Sequence, residues 1–177
     1  QYAREMLMMS EETRTFRNQH LDYFLKYTEM AQPELHGQRQ ADWMSLLETE
    51  HDNLRAALEW SQETRPELGL RIAAALVDFW DTRGFLTEAR RWLDAMLQKT
   101  AHLDPVPAHV DVMLGAMAFA VRQSDLEVSK KLLDNGLALA RAIEYKAGIA
   151  RGLFDERTME AVHDALRALL AREEARL

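Results

Sequence analysis

The chain has 177 residues, enough for one sizeable domain or an array of about four helical hairpins. Its formal net charge of -7 works against nucleic acid as a direct partner, because duplex affinity comes largely from Lys and Arg neutralising phosphates. The absence of cysteine excludes disulfides, thiolate metal sites and cysteine nucleophiles.

A hydrophobic fraction of 47% supplies a core, and the low count of glycine (seven) and proline (four) beside abundant Ala, Leu, Glu, Arg and Met predicts an all-α fold. No run approaches the roughly 18 uninterrupted apolar residues of a membrane span, and the N-terminus lacks a basic-then-apolar signal pattern. The expectation is a soluble, cytoplasmic protein with no membrane partner. Gln1 in place of an initiator Met, followed at once by helix-like sequence, points to a piece of something longer.

In chain order, residues 1–10 read as the end of an upstream helix, with Ser10 capping a new one and Glu11 and Glu12 set favourably against its dipole. That helix runs to about Ala31 and carries Phe16, His20, Tyr23, Phe24 and Tyr27 on one apolar and aromatic face, before Pro33 and Gly37 close the segment. Between Gln38 and Thr64 the pattern fits two helices or one bent one, with Trp43, Leu46 and Leu47 in the first part and Leu54, Ala57, Leu58 and Trp60 in the second. Pro66 opens a helix through Leu70, Ile72, Leu76, Phe79 and Trp80 that Gly84 ends. Its partner starts around Thr87 and continues through Trp92, Leu93, Met96 and Leu97.

Asp104, Pro105 and Pro107 mark a hairpin boundary, and a second pair follows at 106–122 and 125–142, with Ser124 or Asp125 as the cap. Gly136 inside the second of these costs about 1 kcal/mol relative to Ala, which a close helix contact offsets. After Tyr145 another first helix begins, with Ile149 and Leu153 at helical spacing. The pattern then changes, and 158–177 forms an amphipathic helix with Met159, Val162, Leu166, Leu169 and Leu170 inward, fit to cap the end of a stack.

Two of these stretches superpose at an offset of forty residues. Leu70, Ala75 and Phe79 fall on Val110, Gly115 and Phe119, while Ala89, Leu93 and Leu97 fall on Ser129, Leu133 and Leu137. A period of that length marks stacked hairpins, each unable to bury its apolar face alone. The predicted architecture is a right-handed stack of antiparallel helical hairpins in one domain over 1–177, with 154–177 as a divergent C-terminal capping helix.

The segment 84–97, GFLTEARRWLDAML, resembles the turn and second helix of a tetratricopeptide unit, and 125–140, DLEVSKKLLDNGLALA, repeats the theme more loosely. The order of YAREML (2–7), RNQHLDYFLKYTEMAQPEL (17–35), ETEHDNLRAALEW (48–60) and AALVDFWDTRGFLTEARRWL is similar to the helical-repeat region of large bacterial LuxR-type and AfsR-like transcriptional regulators that carry a STAND-class ATPase. The similarity spans about residues 1–153, and the tail from Phe154 departs from it. It implies an upstream ATPase module, a winged-helix piece, this region as the inducer-sensing or protein-binding part, and a separate DNA-binding helix-turn-helix. Neither a Walker A loop nor a helix-turn-helix is present in these residues.

Glu48-x-x-His51 and Glu160-x-x-His163 have the spacing that puts two ligands on one helix face, as in di-iron bundles. Such pairs arise by composition in a chain rich in Glu and His, so no metal or other cofactor is predicted, and His51 is expected to hydrogen-bond within its hairpin. Asp78 and Asp81 flanking Trp80 read as solvated neighbours of a packed ring. With no nucleophile elbow or Gly-rich phosphate loop, the expectation is a non-catalytic module.

In repeat stacks the first helix of each hairpin lines the concave side. The candidate binding face is therefore Phe79, Trp80, Arg83, Val112, Phe119 and Arg122, for a protein partner or a small inducer. The alternative is a self-association scaffold forming a homodimer through convex or terminal faces.

Overall fold

The computed structural model describes the backbone of residues 2–174 and the side chains of residues 10–161. Among them the only regular structure is helical: α1 (Tyr2–Ala31), a 3-10 helix (Gln32–His36), α2 (Gln40–Thr49), α3 (His51–Thr64), α4 (Pro66–Arg83), α5 (Leu86–Thr100), α6 (Pro107–Arg122), α7 (Leu126–Ala142) and α8 (Lys146–Glu174). Among the described residues no helix is long and apolar enough to cross a membrane. The chain forms two compact units, Gln1–Asp104 and Pro105–Leu177.

In the first unit α4 is the central element, packed by α1, α3, α5 and the 3-10 helix. Its buried residues are Leu68, Gly69 and Leu70, then 72–77, Phe79 and Trp80, the pattern of a helix covered on several sides. Arg65, held in a non-helical conformation (φ -148°, ψ 66°) before Pro66, separates α3 from α4 because the pyrrolidine ring disfavours helical backbone in the preceding residue. The 38–64 segment is two helices, broken at Glu50 (φ -90°, ψ 7°). Gly69 lets three helices meet: a Cβ there would lie 2.1 Å from Ser61 Oγ of α3 and 2.7 Å from Met96 Sδ of α5.

Two expectations for α1 are corrected. Ser10 caps nothing, because α1 continues through it as one helix. Its buried face is Leu21, Phe24, Leu25, Thr28 and Ala31, whereas Phe16 and Tyr23 are exposed. At 3.6 residues per turn the five aromatic positions fall within an arc of about 100° and so share a face, but only its Phe24 edge is buried, and the edge with Phe16 and Tyr23 is open. Leu46 of α2 is likewise exposed, beside buried Trp43, Met44 and Leu47.

The second unit is built on Val110, Leu114 and Met117 of α6 with Leu133, Leu137 and Ala140 of α7, and Ile149 and Met159 of α8 pack against this cluster. Gly136 stands where the sequence requires a close contact, since a Cβ would lie 3.2 Å from Leu114 Cδ2. The expected break after Leu153 is absent: α8 is continuous from Lys146, so a separate terminal helix beginning at 154 is corrected to the distal part of α8. Phe154 is exposed on it. Val162, Leu166, Leu169 and Leu170 lie outside the described side chains.

The hairpin turns share one geometry. Gly84 (φ 76°), Ser124 (φ 61°) and Glu144 (φ 56°) each adopt the left-handed conformation just past a helix. At the first turn Phe85 N donates to Trp80 O at 2.9 Å and Gly84 N to Asp81 O at 3.3 Å. The same pair of bonds recurs from Asp125 to Ala120 and Ser124 to Val121, and from Tyr145 to Ala140 and Glu144 to Arg141. Each is a Schellman motif, which satisfies terminal carbonyls and reverses the chain into the next helix. The helices before the first two turns, α4 and α6, also both start with Pro after a non-helical residue, Arg65 and Val106. At Val106 the backbone N–H donates to His109 Nδ1 at 3.1 Å, which closes the start of α6.

Candidate functional site

Four of the six residues expected on a binding face are enclosed: Phe79, Val112 and Phe119 are fully buried and Trp80 is 1% exposed. They offer no surface to a ligand, which corrects the expectation for them. The adjacency of Phe79 and Trp80 does not send one ring outward, because α4 is covered on several sides. Arg83 donates to the Glu48 carboxylate of α2 at 2.9 Å, and Arg122 is exposed at the last turn of α6. Asp78 Oδ2 lies 3.0 Å from His36 Nε2.

Two of the four sequence segments singled out above, 48–60 and the one that includes 84–93, meet in the first unit. Arg55, from EHDNLRAALEW on α3, donates from Nε to Glu88 Oε1 at 2.7 Å and from Nη2 to Glu88 Oε2 at 2.6 Å, Glu88 belonging to GFLTEARRWL on α5. Asp52 accepts a third bond from Arg55 at 2.8 Å, and Trp92 Nε1 reaches Glu88 Oε1 at 3.3 Å.

His51 sits 3.4 Å from Glu88 Oε1, an electrostatic contact without a hydrogen bond, with its ring against Phe85 and Phe79. Its expected hydrogen bond within the hairpin is thus not formed. Burial among these rings pushes the His51 pKa below its ordinary value, outweighing the nearby Glu88 charge. The Arg55 hydrogen bonds hold the Glu88 carboxyl below the usual range against the opposing effect of burial, and Glu88 in turn raises Arg55. Arg55, Glu88, Asp52 and Trp92 are joined by hydrogen bonds, which makes this a clamp between α3 and α5, with His51 Nε2 buried beside it and not hydrogen-bonded.

Glu48 and His51 lie on opposite sides of the Glu50 bend, on different helices, so they share no helix face. Among the described residues no group of three His, Asp or Glu is placed to hold a metal ion. The side chain of His163 lies outside the described residues.

Two surface concavities, one in each unit, are candidates for binding. One, of about 470 Å³, lies between α1 and α3 and is partly furnished by its own contacts: Arg17 stacks over the Trp60 ring at 5.1 Å, and Trp60 Nε1 donates to Asn18 Oδ1 at 2.9 Å. The other, of about 540 Å³, opens between α7 and α8 of the second unit. Its apolar lining is Val121, Leu126, Leu133 and Met159, and its polar lining is Glu127, Lys130 and Asp134 from α7 and Glu156, Thr158 and Glu160 from α8. A volume of this size with an apolar lining and a few polar groups suits a bound side chain cluster or small molecule.

The α7–α8 groove is absent from the sequence expectations because α7 is a second helix, assigned there to the outside of a stack. A signal was nonetheless present, since Leu126 and Leu133 recur seven apart, each followed by an acid, Glu127 and Asp134. On α1, Phe16, Tyr23 and Met30 also recur at seven and are 69%, 60% and 61% exposed, an apolar stripe in the open. In comparisons with known proteins the chain matches no family model, no curated protein and no solved structure.

Proposed function

We propose that this chain is a non-catalytic binding module, the ligand- or protein-sensing part of a larger bacterial transcriptional regulator of the LuxR-type and AfsR-like kind with a STAND-class ATPase. In this reading the hairpins stack as a right-handed tetratricopeptide-like solenoid in the cytoplasm, and the α7–α8 groove replaces the buried first-helix residues as the binding surface. The observation that carries it is the recurrence, at forty to forty-one residues, of a Pro-opened helix, a left-handed residue with the same two hydrogen bonds, and a second helix. The clamp between the two blocks of the resemblance supports it, because it gives those residues a shared structural reason. Binding acts by population shift: a ligand that prefers one arrangement of the helices biases an attached ATPase by its differential affinity.

Thermal-shift screening of the full-length parent against candidate effectors tests this, since a ligand of the native state raises its apparent stability. The expected result is an effector whose stabilisation is lost in Leu126→Ser. A stabilising effector indifferent to every groove substitution would remove the groove from the reading. The exposed Phe16, Tyr23 and Met30 stripe favours a second reading, a scaffold that self-associates through α1. Mass in solution across a dilution series separates them, because only self-association gives a dimer that dissociates on dilution and is lost in Tyr23→Ser.

A further inference from the structure

We propose that the α7–α8 groove docks a basic amphipathic helix of a partner protein. This names the partner for the surface assigned above and rests on that assignment. Leu126 and Leu133 lie two turns apart on α7, about 10 Å along the axis. That spacing matches the i and i+7 anchors with which an amphipathic helix enters an apolar groove, and Met159 adds to the apolar lining from α8. The polar lining specifies the charge. Glu127 and Asp134 stand on α7 and Glu156 and Glu160, four apart on one face, on α8, against Lys130 alone.

Among the described residues these four carboxylates form no ion pair with the fold, in contrast to Asp22, Glu29, Glu48 and Glu88, each held by an arginine. Like charges facing each other across a groove repel, and a cation between them relieves that repulsion while steering its own approach. A single small amine neutralises one such charge. A helix with Lys or Arg on both flanks of an apolar stripe meets both pairs of carboxylates along two turns.

The test is an anisotropy titration of the chain with a labelled, helical Leu/Lys amphipathic peptide at physiological ionic strength, beside Leu/Gln and Leu/Glu peptides of the same pattern. The expected result is binding of the Leu/Lys peptide alone, weakened about tenfold or more by Glu127→Lys with Glu160→Lys. Glu12→Lys with Glu59→Lys, which changes net charge equally at exposed positions of the first unit, is expected to weaken it less than about twofold. Equal weakening by both pairs would mean attraction to net charge and would overturn the proposal. Leu/Gln binding as tightly as Leu/Lys, and lost in Leu126→Ser, would overturn the basic partner while leaving the groove as the binding surface. No peptide binding, together with effector stabilisation indifferent to Leu126→Ser, would overturn both.

Discussion

Arg55 of α3 and Glu88 of α5 face each other in a fork, with two hydrogen bonds of 2.7 and 2.6 Å across 33 residues of sequence. The carboxylate is 17% exposed and the guanidinium 40%, so the pair is partly screened yet geometrically complete. Glu88→Gln is expected to lower unfolding free energy by about 1–2 kcal/mol in urea denaturation, because it leaves Arg55 and Trp92 with a poorer acceptor. Asp52→Asn should leave stability unchanged within error, since the Asp52 carboxylate is 94% exposed. Equal losses would show that the fork adds nothing beyond a surface pair.

The same clamp predicts a pH response. Burial lowers the folded-state pKa of His51, so below its ordinary value of 6.5 the unfolded chain takes up a proton that the folded chain resists. Stability therefore falls as pH drops from about 7 towards the folded pKa. Glu88 adds a second loss at lower pH: its depressed pKa contributes stability above the ordinary carboxylate range, and that is lost as pH falls through the folded value. His51→Gln should flatten the decline in denaturation midpoint between about pH 6.5 and 5, and Glu88→Gln the decline below about pH 4.5. A His51→Gln profile parallel to the parent would contradict the assignment.

The three Schellman turns make opposite predictions for substitutions at one conformation. Ser124 and Glu144 hold φ of 61° and 56° with side chains that disfavour it, so Ser124→Gly and Glu144→Gly should each raise stability by about 0.5–1 kcal/mol. Gly84→Ala should lower it by about 1 kcal/mol, and since a Cβ there meets nothing within 4 Å, that loss is conformational. Thermal midpoints of the three variants check the set, and a stabilised Gly84→Ala would refute it.

Gly152 measures how closely α8 lies on α7. A Cβ at this position would sit 2.5 Å from Leu137 Cδ2 and 2.8 Å from its Cγ, and Leu137 is itself buried in the second unit's core. Gly152→Ala is expected to cost about 1–2 kcal/mol, overpacking outweighing the better helix propensity of alanine. Denaturant titration of the variant gives the sign directly; a gain would mean that the two helices part easily.

Helical class, the turn at Gly84 and the starts at Pro66 and Pro107 were legible in the chain itself, because proline and glycine act on their own backbone whatever surrounds them. The recurrence of 84 at 124 was readable for the same reason, although serine concealed the left-handed residue that the second turn shares with the first. What the amino acids left undecided was how many neighbours each helix acquires. Spacing showed an apolar seam on α4 but not that α1, α3 and α5 enclose it, which buries Phe79 and Trp80 together.

The same gap hid the α7–α8 groove and misread α1. Phe16 and Tyr23 look like core by residue type, yet the helix turns them away from the face that Leu21 and Phe24 bury. Glu88 looks like any surface acid until folding brings Arg55 to it from 33 residues away. Local backbone chemistry is written in neighbouring residues, whereas burial and pairing depend on segments that meet only after the chain has folded, and those contacts determined that the remaining groove opens between α7 and α8.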